Sequence, residues 1–162
     1  MKAILLPVEA NSAIDSALSV ADLLARRFDA QVDGVALKAS IVDFIAPDPV
    51  VVVLPQPTVS EAEAEQAAHA LFDKFARQRA GGEKCGLLTW AGRPSIDDAA
   101  LASLSRVFDI TIVGRPGLGR SEPRMTTLEA ALFESGRPVI MAPPNPPKTL
   151  GTNILIHWNA ST

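Results

Sequence analysis

The chain has one cysteine, no net positive charge and no long apolar run, and each of these scarcities excludes a class of protein. A single cysteine, Cys85, excludes an internal disulfide and a cysteine-based metal cluster. A net charge of −3 provides no basic field for nucleic acid. The longest apolar run, Val50 to Leu54, is far shorter than a membrane span, and the apolar run at the N-terminus is too short for a signal peptide. We therefore expect a soluble cytoplasmic protein that binds neither nucleic acid nor membranes.

Apolar runs of strand length alternate with amphipathic helical segments, and 48% of the residues are hydrophobic. The runs predict five strands, at residues 4–8, 32–37, 85–90, 110–113 and 139–141. Helix starts are predicted from capping patterns at Ser12–Asp15, Ser60–Glu63, Ser95–Asp98 and Thr126–Glu129. We assign the acids of these caps to helix initiation alone.

The strands are too apolar to leave one face in water, so each must lie between helices. This predicts an α/β fold with a doubly wound parallel sheet and helices on both faces. Right-handed crossovers then bring the carboxyl ends of the strands to one edge of the sheet, where a ligand would bind. That edge carries Glu9, the residues after Leu37, Trp90–Pro94 and Gly114–Arg124.

The sequence also predicts a division of the chain. Residues 1–143 form one domain, and the proline-rich segment 144–151 is a linker. Residues 152–162 repeat residues 2–12 without a gap, which indicates the first strand of a truncated second repeat. The alternatives are a swapped or edge strand, or the general likeness of buried strands. The apolar, proline-bearing segment 39–58 is predicted to be a functional insertion or a flap.

The strongest local signal follows the fourth strand, where Gly114-Arg115-Pro116-Gly117-Leu118-Gly119-Arg120 forms a glycine-rich loop. Glycines allow backbone amides to receive phosphate oxygens. The loop matches neither the dinucleotide fingerprint nor a Walker A motif. We predict that the loop binds phosphate, and an ordinary turn is the alternative.

Four segments together resemble the universal stress protein family, and the resemblance covers essentially the whole chain. They are Ile4–Glu9, Gly92–Ile96, Phe108–Gly114 and Ser135–Val139. The resemblance implies an adenine nucleotide alpha-hydrolase-like fold with sheet order 3-2-1-4-5. It also implies ATP or another adenine nucleotide, with Mg²⁺, as ligand. Together with the repeat at the end of the chain, the resemblance leads us to expect the N-terminal half of a tandem protein of this family.

The chain matches the first half of the family's nucleotide-binding glycine motif and departs from the second half of that motif. Gly114 and Gly117 match the first two glycines, but Thr127 or Thr126 stands where a Gly-Ser/Thr pair is expected, depending on the count. Glu9 replaces the usual aspartate. The site residues that the resemblance implies are Pro7, Val8, Glu9, Val35, Gly114, Arg115, Gly117, Arg120, Thr126 and Thr127. The loop arginines are predicted either to pair with phosphates or to be solvated charges.

Two functions are compatible with these residues. The first is a non-catalytic stress-response regulatory module that binds ATP or AMP weakly. The second is a nucleotide-free dimerisation or interaction half of a tandem protein, with its crevice filled by side chains from 41–54. An enzyme is not predicted, because the turn after the first strand lacks the loops that related nucleotide-dependent enzymes need. No catalytic or metal site is expected, and we expect a homodimer formed through the last strand.

Overall fold

The computed structural model describes residues 1–38, 60–79, 88–119 and 121–158. Strands and helices alternate along them: β1 (Ala3–Val8), α1 (Ile14–Phe28), β2 (Gln31–Ala36), α2 (Glu61–Arg79), β3 (Leu88–Trp90), α3 (Asp98–Ser105), β4 (Ile110–Gly114), α4 (Met125–Glu129) and β5 (Val139–Ala142). Helix α4 continues into a π-helical turn, Ala130–Glu134. The predicted insertion at 39–58, the start of the predicted third strand and Arg120 lie outside the described residues.

The five strands form one sheet in the order β3-β2-β1-β4-β5. Every neighbouring pair is parallel. Strand β1 lies at the centre and pairs with β2 on one side and β4 on the other. This confirms the predicted fold class and strand order, and it places the point at which the connections change direction between β1 and β4.

Side-chain alternation along β1 divides the core into two layers. Ile4, Leu6 and Val8 pack with α1 and α2 on one face, where Phe72 is the largest fully buried side chain. Leu5 faces the other way and packs with α3. Both faces of the central strand are thus covered, as the apolar sequence of β1 requires.

One of the predicted helix caps is confirmed. At the start of α2 the Ser60 backbone amide donates to Glu63 Oε2 at 2.8 Å, and the Glu63 amide donates to Ser60 Oγ at 3.2 Å. These two reciprocal bonds form a capping box. The Ser60 amide and, at 3.0 Å, the Ser60 hydroxyl both donate to Glu63 Oε2, and these two bonds lower the pKa of the Glu63 carboxyl. Both residues are exposed, so no tertiary contact competes for their side chains.

The other three predicted caps are wrong, because the predicted cap residue either bonds elsewhere or lies inside the helix. The Ser12 hydroxyl donates to Glu122 Oε2 at 2.7 Å, and α1 begins after Ala13 without a side-chain cap. The Ser95 hydroxyl donates to Glu61 Oε1 at 2.8 Å. Asp97 caps α3 instead, accepting from the Ala100 amide at 2.8 Å. Helix α4 already begins at Met125, ahead of the predicted cap, and has no side-chain cap.

The segment after β5 returns along α1. Leu150 packs against the core layer that contains α1, and its carbonyl oxygen accepts a hydrogen bond from Arg27 Nη1 at 2.9 Å. Beyond it, the apolar side chains of Ile154, Leu155 and Ile156 are exposed. The division into domain, linker and second repeat stays a prediction. No described helix is long and apolar enough to cross a membrane.

Asp109 fixes the N-terminal end of β1. Its Oδ2 atom accepts hydrogen bonds from the Lys2 amide and, at 3.1 Å, from the Ala3 amide. These bonds lower the pKa of the Asp109 carboxyl, the Lys2 amide making the larger contribution. A depressed carboxyl pKa adds stability above the pKa of the unfolded chain, and this stability is lost as the pH falls through the folded value.

We therefore expect Asp109→Asn to be less stable than the unmodified chain at pH 7, with the difference shrinking towards pH 3. Urea unfolding of both proteins across this range measures the effect. A difference that does not change with pH would show that the charge of Asp109 adds nothing to its hydrogen bonds. Asp29→Asn is a suitable control, since the Asp29 carboxylate is fully exposed in its ion pair with Lys2.

Candidate functional site

A cleft opens at the carboxyl ends of β1 and β4, where the direction of the connections changes. Its volume is about 270 Å³, including space that is open to solvent. The lining residues come from the ends of β1 and β4, the turn before α1, the end of β2 and the start of α4: Pro7, Glu9, Asn11, Leu37, Val113, Gly114, Pro123, Arg124 and Thr127. This is the edge at which open parallel sheets bind their ligands.

The Arg124 guanidinium is the most deeply placed charge of the cleft, with only 10% of the side chain exposed. Its Nε atom lies 3.2 Å from Glu9 Oε1, and its Nη2 atom lies 3.6 Å from Asp98 Oδ1. Glu9 follows β1 and Asp98 begins α3, so one side chain connects two elements across the site. Two carboxylates therefore face one guanidinium.

Thr127 completes this network. Its hydroxyl donates to Asp98 Oδ1 at 2.9 Å, and the residue is buried. The assignment of Asp98 to helix initiation alone is thus wrong: Asp97 is the cap, which frees Asp98 for Arg124 and Thr127. The doubled acid at positions 97 and 98 is the sequence signal that could have revealed this, because a helix start needs only one of them.

The turn between β1 and α1 is fixed by Asn11. Its Oδ1 atom accepts from the Ala13 amide at 3.1 Å, and its Nδ2 atom lies 3.5 Å from Glu9 Oε2. An Asx turn thus takes the place of the predicted capping box and orients Glu9 towards the cleft.

Two backbone hydrogen bonds hold the glycine loop after β4, one within the segment before α4 and one to the end of β5. The Gly117 amide donates to the Pro123 carbonyl at 3.4 Å, and the Arg115 amide donates to the Ala142 carbonyl at 3.1 Å. A Cβ atom at Gly114 would lie 2.6 Å from Pro123 Cγ and 3.0 Å from Ala13 Cβ. Close packing is therefore sufficient to explain a glycine at position 114.

Glu122 lies over the same loop. A Cβ atom at Gly117 would lie 2.6 Å from Glu122 Cγ. The Glu122 carboxylate accepts from the Ser12 hydroxyl, and the Ser12 amide donates to the Ser121 carbonyl at 2.7 Å. The loop is in this way joined to the start of α1, the helix that follows β1.

The structure brings four of the predicted site residues into the cleft lining: Pro7, Glu9, Gly114 and Thr127. Val8 and Val35 are buried in the two core layers. Arg115, Gly117 and Thr126 are exposed and are not part of the lining. Of the two possible counts along the loop, the one that ends at Thr127 therefore places a hydroxyl in the cleft. Arg120 and the segment 41–54 lie outside the described residues.

Sequence reasoning missed three residues of this site: Asp98, Glu122 and Arg124. The sequence predicts Arg124 only as one of the loop arginines, which either pair with phosphates or are solvated charges, and it predicts no role for Glu122. Among the described residues, no group of three or more His, Cys, Asp or Glu side chains is arranged to hold a metal ion. The charged groups of the cleft are instead paired with one another.

Sequence comparison does not place the chain, since no protein-family model and no curated protein matches it. Solved structures do match. Universal stress protein UspA from Lactobacillus plantarum is 20% identical, with a TM-score of 0.54 over 87% of this chain and 97% of its own. A universal stress protein family member from Burkholderia pseudomallei is 17% identical, with a TM-score of 0.52 over 88% and 96%. At these identities the likeness establishes the fold: the chain has the fold of universal stress proteins.

Proposed function

We propose that this chain is a non-catalytic regulatory module of the stress response, acting in the cytoplasm, that binds an adenine nucleotide with Mg²⁺ only weakly. The observation that carries the proposal is the position of Arg124 across the cleft, between Glu9 and Asp98. The universal stress protein fold supports the regulatory assignment.

The architecture of the cleft supports a nucleotide as the ligand. The cleft lies at the carboxyl edge of the sheet, beside a glycine-bearing loop and the start of α4. Its lining combines apolar side chains from Leu37 and Val113 with a carboxylate at Glu9 and a hydroxyl at Thr127. An apolar wall with a few fixed polar groups is the usual composition of a small-molecule site.

The same cleft explains why binding would be weak. Its volume of about 270 Å³, part of it open solvent, is small for a ligand of nucleotide size. A nucleotide that reached Glu9 would have to displace Arg124 and break its ion pairs. That cost is subtracted from the binding free energy.

The charges also support a non-catalytic role. A general base needs a carboxylate that can accept a proton from the reacting group. Glu9 and Asp98 both lie within ion-pair distance of Arg124, and Asp98 also accepts a hydrogen bond from Thr127. Neither carboxylate is placed to act on a substrate while these contacts hold.

Calorimetric titration with Mg·ATP tests the proposal, together with a phosphate-release assay. We expect a dissociation constant of about 1 mM, equivalent to about −4 kcal/mol, and no phosphate release above the uncatalysed rate. Micromolar binding would contradict the closed cleft, and phosphate release would contradict the non-catalytic assignment. Absence of binding would favour the interaction module described next.

The second candidate function, a dimerisation or interaction module, is favoured by the exposed apolar surface around β5. This strand is at the edge of the sheet, and Met141 on it is 50% exposed. Phe133, in the π-helical turn that precedes β5, is 75% exposed. An unpaired, apolar edge strand is a template for pairing with another chain. We propose that two copies associate through β5.

Met141→Lys tests this association. We expect a dimer for the unmodified chain at tens of micromolar and a monomer for the variant, because a lysine places a charge at the centre of the apolar contact. Light scattering after size exclusion measures both masses. Val107→Lys is the matched control, since Val107 is 74% exposed and does not belong to β5. A monomeric unmodified chain, or equal masses for all three proteins, would exclude this interface.

A further inference from the structure

One short segment, residues 122–124, places one charged side chain in the cleft and another on the glycine loop beside it. Glu122 extends over the glycine loop, and Arg124, two residues later, extends between Glu9 and Asp98. Pro123, between them, packs on Gly114 and lines the cleft. A single segment therefore supplies both an anion and a cation to the site.

The anion lies where a glycine loop would receive one. Glu122 Cβ, Cγ and Cδ all lie within 3.1 Å of the position that a Cβ would take at Gly117. Its carboxylate accepts from Ser12, a hydroxyl at the start of α1, where helix amides favour negative charge. A carboxylate and a phosphate make the same demand on such a position, since both accept several hydrogen bonds.

The cation lies between two carboxylates. Arg124 Nε and Nη2 are buried, and although each is within ion-pair distance of a carboxylate, neither makes a hydrogen bond. The guanidinium therefore satisfies the charge of Glu9 and Asp98 without the geometry that an arginine–carboxylate pair prefers. One or two carboxylates together with phosphate oxygens are the usual protein environment of Mg²⁺.

We infer that Glu122 and Arg124 are internal substitutes for an oxyanion and a divalent cation, and that they close a site for a magnesium-bound phosphate group. The inference rests on the proposed function, because it specifies what limits nucleotide binding in the same cleft. Rotation of the Glu122 and Arg124 side chains out of these positions exposes the glycine loop to phosphate and removes the guanidinium from between Glu9 and Asp98, where the metal would bind. With both substitutes in place, the cleft admits an uncharged nucleoside at least as readily as a nucleotide.

Calorimetric titrations of four proteins test this inference: the unmodified chain, Arg124→Gln, Glu122→Ala and the double variant. The probes are Mg·ATP, ATP with EDTA, and adenosine. Removal of either substitute is expected to raise Mg·ATP affinity about tenfold, which corresponds to about 1.4 kcal/mol. The double variant is expected to gain more than either single one. The gain in ATP affinity of Arg124→Gln should vanish when EDTA removes the metal. The affinity of each variant for adenosine should differ from that of the unmodified chain by less than about twofold.

Two controls separate these effects from a general change. Arg77→Gln removes an exposed arginine of α2, outside the cleft and the glycine loop, and should leave all three affinities unchanged. Glu122→Gln keeps the size of the side chain but removes its charge, so its gain should be smaller than that of Glu122→Ala. Thermal unfolding of each variant establishes that the fold is retained.

The outcomes distinguish this inference from the proposed function. Weak binding by the unmodified chain with no gain in any variant would overturn the inference and leave the proposed function standing. Gains in the variants without measurable binding by the unmodified chain would overturn the proposed function and leave the inference standing. A loss of Mg·ATP affinity in Arg124→Gln would show that Arg124 is a phosphate ligand and overturn the inference. Absence of binding by all four proteins would overturn both.

Discussion

Replacing Gly34 with alanine is expected to lower the free energy of unfolding by about 3 kcal/mol, the upper end of the usual cost of overpacking. Gly34 lies on β2, on the face that α2 covers. A Cβ atom there would lie 2.6 Å from Phe72 Cε2 and 3.1 Å from Trp90 Cε3. Phe72 is 2% exposed, so its ring has no open space into which it can turn. Relief therefore requires α2 to move away from the sheet.

A double-mutant cycle isolates this contact. Phe72→Ala alone is expected to cost about 4 kcal/mol through loss of buried ring surface and formation of a cavity. Adding Gly34→Ala to that variant should cost less than about 0.5 kcal/mol, since the new methyl group then enters the vacated space. Gly119→Ala is the control, because its Cβ would meet only Glu122 Cγ at an ordinary 3.4 Å. Additive costs in the cycle would mean that Phe72 is not what restricts position 34.

The strands of this fold are predictable from the sequence, whereas most of its helix caps are not. The strands are predictable because an apolar run such as Ile4–Val8 is buried in any parallel sheet, whatever its neighbours. A cap depends on whether its side chain has a better partner elsewhere. Ser60 has none in the structure and forms the predicted box, whereas Ser12 and Ser95 are bound by glutamates far away in the sequence. Local spacing carries no information about such partners.

The candidate site likewise has features that the sequence predicts and features that it does not. The edge of the sheet and the positions of Glu9 and Gly114 follow from the order of strands and helices. The pairing of Arg124 with Glu9 does not, because it depends on how residues 121–124 pack against the turn before α1. Whether Thr126 or Thr127 faces the cleft likewise depends on where α4 begins, and the helix starts at Met125. The backbone thus sets which of the two threonines faces the cleft, and the count along the motif stays a prediction.

The second large effect is expected at Gly114, where alanine should lower the free energy of unfolding by about 2 kcal/mol. Its Cβ would meet Pro123 Cγ at 2.6 Å and Ala13 Cβ at 3.0 Å. A proline ring and an alanine methyl are fixed by their backbones, so neither can move aside. At Gly117 the three nearest atoms all belong to the Glu122 side chain. Its Cγ and Cδ can turn towards solvent, but its Cβ, 2.9 Å away, is fixed by the backbone, so Gly117→Ala should cost about 1 kcal/mol, the lower end of the usual cost of overpacking.

This pair of variants separates two reasons for a glycine in the loop. If both glycines are present to admit a phosphate, both alanines leave the free energy of unfolding nearly unchanged and both weaken Mg·ATP binding. If Gly114 is present for packing, urea unfolding shows a larger cost at 114 than at 117. The distances favour packing at Gly114, because its nearest contacts are with Pro123 and Ala13, while two of the three nearest atoms at Gly117 are Glu122 Cγ and Cδ, which can turn away. The first glycine then belongs to the fold, and only the second is left to the ligand.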